Sequence, residues 1–175
     1  RSGDCKAVIP ARITQIGKAA FYGKHIENVF FEKNGAAYSF PKHAFFNEEL
    51  LKSFGKNGRL YDFEDYDAFL LRNHFNADRI RMICERLIQD WEITEQTRKR
   101  LFLHVEDNIE EAVKALAEEN AVKELKMMAG AGFFTQDNIS EIIDILNRTD
   151  RRELLTYLMD YKHENFKTAG FDFSV

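Results

Sequence analysis

The chain has 175 residues, 45% of them apolar and 13% aromatic, with a formal net charge of −4 from 25 basic and 29 acidic side chains. That length suits one compact domain or a small head fused to a repeat array, and the apolar content is enough for a sizeable core, which excludes a disordered chain. The mild acidity with both signs interspersed excludes a global attraction to phosphate backbones or acidic lipid.

The two cysteines, Cys5 and Cys84, lie far apart and belong to no Cys-x-x-Cys pair, so two buried thiols are expected rather than a disulfide framework or zinc site. No apolar run approaches the roughly 18 residues of a membrane helix. The chain begins at Arg1 rather than Met. A processed leader or a preceding segment therefore stays open beside the expected cytoplasmic setting.

Taken in order, Cys5 to Pro10 reads as a short strand stopped by proline, and Ile13 to Ile16 as a second strand or a turn. Val29-Phe30-Phe31-Glu32-Lys33 and Ala36-Ala37-Tyr38-Ser39-Phe40 are β-prone runs joined by Asn34-Gly35. Such a pair suits a type I′ turn, where both central residues need positive φ, and so predicts a hairpin. A helix is expected from about Ala44 to Phe54, stopped by Gly55 and Gly58. Residues 1–58 thus make a small β-rich head with one helix, and 59–175 a helical domain.

Leu60 to Leu70 alternates aromatic and acidic residues. The spacing of Phe63, Tyr66 and Leu70 favours a helix over about 64–72, with Asp62 as N-cap, buried rings and solvated carboxylates. From Ala77 the pattern is helical throughout. Ile80, Ile83, Cys84, Leu87 and Ile88 recur at three- and four-residue steps, and Thr94 opens the next helix, with Leu101, Leu103 and Val105 inward.

Then the chain repeats itself. Asp107-Asn108-Ile109-Glu110-Glu111 returns thirty residues later as Asp137-Asn138-Ile139-Ser140-Glu141. At that offset Leu116 meets Leu146, Leu125 meets Leu155, Val113 meets Ile143 and Met128 meets Leu158. Asn108 with Glu111, and Asn138 with Glu141, each predict a capping box. A period in this range is the mark of stacked helical units, here expected as hairpins over about 77–106, 107–130 and 137–162. The fold expected is α+β, mostly α.

The stretch Ala115-Leu116-Ala117-Glu118-Glu119-Asn120-Ala121-Val122-Lys123-Glu124-Leu125 through Gly130-Ala131-Gly132 to Asn138 resembles an ankyrin helix pair running into its glycine turn and finger. The resemblance covers about 108–162. It departs from the family in lacking the Thr-Pro-Leu-His opening and in a spacing of 30 rather than about 33. It implies an α-solenoid that binds another protein, and it nominates Phe133, Phe134, Gln136 and Asp137 at the finger as partner contacts; the alternative is that Phe133 and Phe134 close the junction between the hairpins. Residues 8–23, Val-Ile-Pro through Ile-Gly to Ala-Phe-Tyr-Gly, also resemble one unit of bacterial leucine-rich-repeat surface proteins. That likeness implies a second reading, a piece of an adhesion protein.

No catalytic motif, cofactor motif or metal-ligand spacing stands out. His25, His43, His74, His104 and His163 are scattered, and no Gly-x-Ser-x-Gly elbow occurs. Arg98-Lys99-Arg100 beside Phe102, and Arg148 with Arg151 and Arg152, are basic but have acids nearby, so they read as solvated helix faces rather than a nucleic-acid surface. The expectation is a non-enzymatic protein-interaction module without cofactor, metal, nucleic acid or membrane insertion. An enzyme whose site assembles only in three dimensions is the remaining alternative.

Overall fold

A computed structural model of the chain describes residues 7–10, 20, 26, 28–33, 36–41, 63–72, 74–88 and 93–166. The protein is α+β and mostly α. Three strands, β1 (Ala7–Ile9), β2 (Asn28–Lys33) and β3 (Ala36–Pro41), form one sheet in the order β1-β2-β3. Strand β1 runs parallel to β2, with Ala7 opposite Val29 and Ile9 opposite Phe31. The β2–β3 pair is antiparallel and closes at Lys33 opposite Ala36. The expected hairpin strands are therefore present, and Asn34-Gly35 falls outside the described residues. So do Cys5, the expected segments 13–16 and 44–54, most of the leucine-rich-repeat likeness, and Asp62.

Seven helices follow among the described residues: α1 (Phe63–Leu70), α2 (Ala77–Ile88), α3 (Glu95–Glu106), α4 (Ile109–Glu119), α5 (Val122–Gly130), α6 (Ile139–Asn147) and α7 (Arg152–Asn165). Helix α3 starts where expected. The Thr94 hydroxyl accepts from the Thr97 amide at 3.1 Å, satisfying one donor of the open first turn. Helix α2 has a cap the sequence reading missed: Asn76 Oδ1 accepts from the Arg79 amide at 2.8 Å.

The chain divides into two compact units, and not at residue 58. The first takes the residues up to His74 together with Arg81–His104. The second takes Phe75–Ile80 and everything from Val105. Most of α2 and α3, the expected hairpin over 77–106, falls in the unit that holds the strands. Within that unit Val29, Tyr66, Leu70, Ile83, Cys84, Leu87 and Leu101 are buried. The Arg98 guanidinium donates to the Leu87 carbonyl, tying α3 to α2.

In the second unit the duplicated sequence makes duplicated structure. Helices α4 and α5 pack on each other, as do α6 and α7, while α4 meets α6 and α5 meets α7. Two hairpins are stacked. Each helix buries one stripe: Ala112, Val113, Leu116 and Ala117 on α4, and Ile139, Ile142, Ile145 and Leu146 on α6.

The hairpins end their first helices differently. After α4 the chain reverses through Asn120 at φ 51°, ψ 42°, with the Asn120 amide bonded to the Ala117 carbonyl and the Ala121 amide to that of Leu116. That is a Schellman motif with asparagine in the left-handed position. Helix α6 stops at Asn147, two residues earlier in register, and residues 148–151 form a wider bend in which the Thr149 hydroxyl donates to the Leu146 carbonyl at 2.7 Å. The predicted glycine cap after α5 forms, with Gly132 at φ 85° and amide bonds from Gly132 to the Ala129 carbonyl and from Phe133 to that of Met128.

The two capping boxes do not form. Asn108 and Asn138 stand at the starts of α4 and α6, yet neither makes a side-chain capping bond. The Asn138 amide group turns back instead, accepting from the Thr135 amide at 2.8 Å and donating to the Phe133 carbonyl at 2.9 Å. The backbone polar groups of the preceding loop compete for the same side chain and win.

Candidate functional site

The finger nominated from sequence is closed. Phe133 is 2% exposed and Phe134 3%, so neither ring offers itself to a partner, and their assignment as partner contacts is withdrawn. Phe134 meets the edge of Tyr161 on α7, ring centroids 6.1 Å apart, and Tyr161 meets Phe166 at 5.8 Å. Aromatic pairs at such distances prefer these edge-to-face arrangements. Phe134 thereby joins the loop after the first hairpin to α7 of the second. Gln136 and Asp137 are exposed, but without the rings they form no site of their own.

The first unit contains a buried ionic cluster. The Arg86 guanidinium, 1% exposed as a residue, clamps Asp67 of α1 with Nε to Oδ1 at 2.7 Å and Nη2 to Oδ2 at 3.1 Å. The sequence reading left that carboxylate in water. In fact Asp67 lies on the buried side of α1 next to Tyr66, and only a partner as rigidly forked as arginine makes its burial tolerable. One turn earlier on α2, Arg81 donates to Glu85 at 3.1 Å. Burial raises the Tyr66 hydroxyl far above the usual tyrosine value; the Glu85 charge adds to the rise, Arg86 opposes it and Asp67 adds a little more. The cluster is closed and its groups engage one another, so it holds α1 to α2.

Among the described residues an open candidate lies in the second unit. A groove of about 630 Å³ runs between α4 and the wide bend at 148–151. Ala117 and Ile145 give it an apolar floor, and Glu110, Lys114 and Glu118 line the α4 side. Arg148, Thr149, Asp150 and Arg151 line the other. The i, i+4 spacing of Glu110, Lys114 and Glu118 places all three on one stripe of α4. Lys114 Nζ donates to Glu110 Oε1 at 2.5 Å, and this hydrogen bond, then the lysine charge, holds the exposed Glu110 carboxyl below its usual range. The Arg148 charge lowers it further. Arg151 Nη2 reaches across to the Glu118 carbonyl at 3.2 Å and fixes the bend against α4.

Three cations and three carboxylates thus converge on one groove, with Arg148 exposed at its edge. The sequence reading noticed the acids of α4 and the arginines 148, 151 and 152 separately, and linked neither to the other. The signal available was where the two copies diverge: Glu118-Glu119-Asn120-Ala121 in one is Arg148-Thr149-Asp150-Arg151 in the other. Among the described residues no group of three or more His, Cys, Asp or Glu could hold a metal, and no helix is long and apolar enough to cross a membrane. In comparisons with protein-family models, curated proteins and solved structures, the chain matches none.

Proposed function

We propose that the chain is a non-enzymatic protein-interaction module built on ankyrin-like helical repeats, and that the groove at the 148–151 bend takes an extended peptide segment carrying an acidic side chain. The observation that carries this reading is the groove itself: about 630 Å³, apolar at Ala117 and Ile145 and charged around its edges. An apolar floor with a few placed polar groups is the usual make-up of a small binding site, and helices hold such a site more rigidly than loops do. Among its cations, Lys114 is spent on Glu110 and Arg151 on the Glu118 carbonyl. Arg148 is left as the charge best placed to meet a carboxylate.

The test is selection of binders from a random peptide library by the purified protein and by an Arg148→Glu variant. Wild type enriches peptides with Asp or Glu at one fixed position, and the variant loses that preference or exchanges it for Lys or Arg. Identical selections from both proteins would overturn the reading.

A further inference from the structure

The groove at the 148–151 bend is charged unevenly along its length. Arg151 Nη2 holds the Glu118 carbonyl at 3.2 Å, which sets the Glu118 end of α4 against the close of the bend. Lys114 is bonded to Glu110, one turn nearer the start of α4, and the Arg148 charge reaches the same Glu110 carboxyl. At that end the cations Lys114 and Arg148 outnumber one carboxylate. At the other, the carboxylates of Glu118 and Asp150 outnumber Arg151. Glu118 and Asp150 are exposed, and neither forms an ion pair with another described residue.

We infer that the partner peptide is bipolar: two residues from the acidic side chain that meets Arg148 it carries Lys or Arg, received by Glu118 and Asp150. This rests on the peptide-binding reading of the groove and deepens it. Geometry sets the spacing. Lys114 and Glu118 lie four residues apart on one stripe of α4, about 6 Å along the helix axis. In an extended chain, side chains two residues apart leave the same face about 6.6–6.8 Å apart. A strand lying along α4 therefore brings an acid to Lys114 and Arg148 while a base two positions along reaches Glu118. A helical ligand needs four positions to span the same distance. The apolar floor at Ala117 and Ile145 suits the aliphatic stem of that base, since long basic side chains lie along apolar surface with the charge in water. Because the two ends of the groove differ, the base stands on one fixed side of the acid.

Peptide-library selection with the purified chain and a Glu118→Lys variant tests this, followed by affinity measurements on a selected peptide and on the same peptide with its base replaced by Glu. Wild type enriches Lys or Arg two positions from the acid, on one side only. Replacing that base by Glu weakens wild-type binding roughly threefold or more, and Glu118→Lys prefers the replaced peptide to the original. The substitution changes an exposed side chain and keeps the Glu118 carbonyl that Arg151 holds, so the bend is preserved. Should the variant lose helicity, the two peptides on wild type decide by themselves. Selected peptides with an acid and no base overturn this inference and leave the acid-binding groove standing, whereas the absence of any acidic preference removes both. A base selected four positions from the acid marks a helical ligand and overturns the inference as well.

Discussion

Arg86 and Asp67 show what one residue can decide. A bidentate pair out of water stabilises little against an apolar pair of the same shape, yet removing one partner strands the other. Asp67→Ala should therefore cost about 3–5 kcal/mol, and Asp67→Leu with Arg86→Met markedly less than the single change. Urea unfolding of the three proteins measures this, and equal losses would show that the charges are not what matters. Glu110 is the opposite case, an exposed carboxylate whose partner is one turn away. Its pKa is lowered on folding, so its contribution is present above the ordinary carboxylate range and disappears as pH falls through the lowered value. Glu110→Gln should accordingly lower the thermal midpoint slightly at neutral pH and leave it unchanged in strong acid. A gap that persists in acid would rule out the Lys114 pairing as its source.

At the scale of elements, the helices were legible because apolar side chains at three- and four-residue steps are a pattern that only a buried helix stripe explains. Helix ends were harder. Gly130-Ala131-Gly132 read as a cap and is one, since glycine alone enters positive φ without penalty; Gly132→Ala should cost about 1–2 kcal/mol in thermal or urea unfolding. The asparagines read as N-caps and are not, because a side chain near several unsatisfied backbone groups can serve any of them and spacing does not say which. Phe134 stayed between two readings, partner contact or closure of the junction, for a related reason. A ring in a loop looks available until the helix that covers it is placed, and Tyr161 lies 27 positions further along the chain. Phe134→Ala should cost about 3–5 kcal/mol through the cavity it leaves. A cost near zero would reopen the ring as a surface residue.

For the molecule as a whole, composition and period foretold the class, α+β and mostly α, while the compact units share α2 between them rather than parting at residue 58. Helices α2 and α3 carry the same amphipathic signature as the repeats and were grouped with them, although most of both lies with the sheet. Amphipathicity tells that a helix is buried on one side and not against what. The groove was illegible for the same reason: its two walls lie thirty or more positions apart in the chain and meet only on folding. The second unit should behave as one cooperative body, because neither hairpin buries enough by itself. Native-state hydrogen exchange should give α4 to α7 a common opening free energy, whereas independent opening of α6 and α7 would contradict that.

The shortened α6 has a practical consequence. Four bend residues shape one wall of the groove while most of the apolar stripe residues that hold the hairpins together lie elsewhere, so the shape and charge of the groove can be altered by exchanging loop 148–151 with the helices left alone. The tighter reversal at Asn120 offers no such freedom, for its left-handed residue is the geometry of the turn itself.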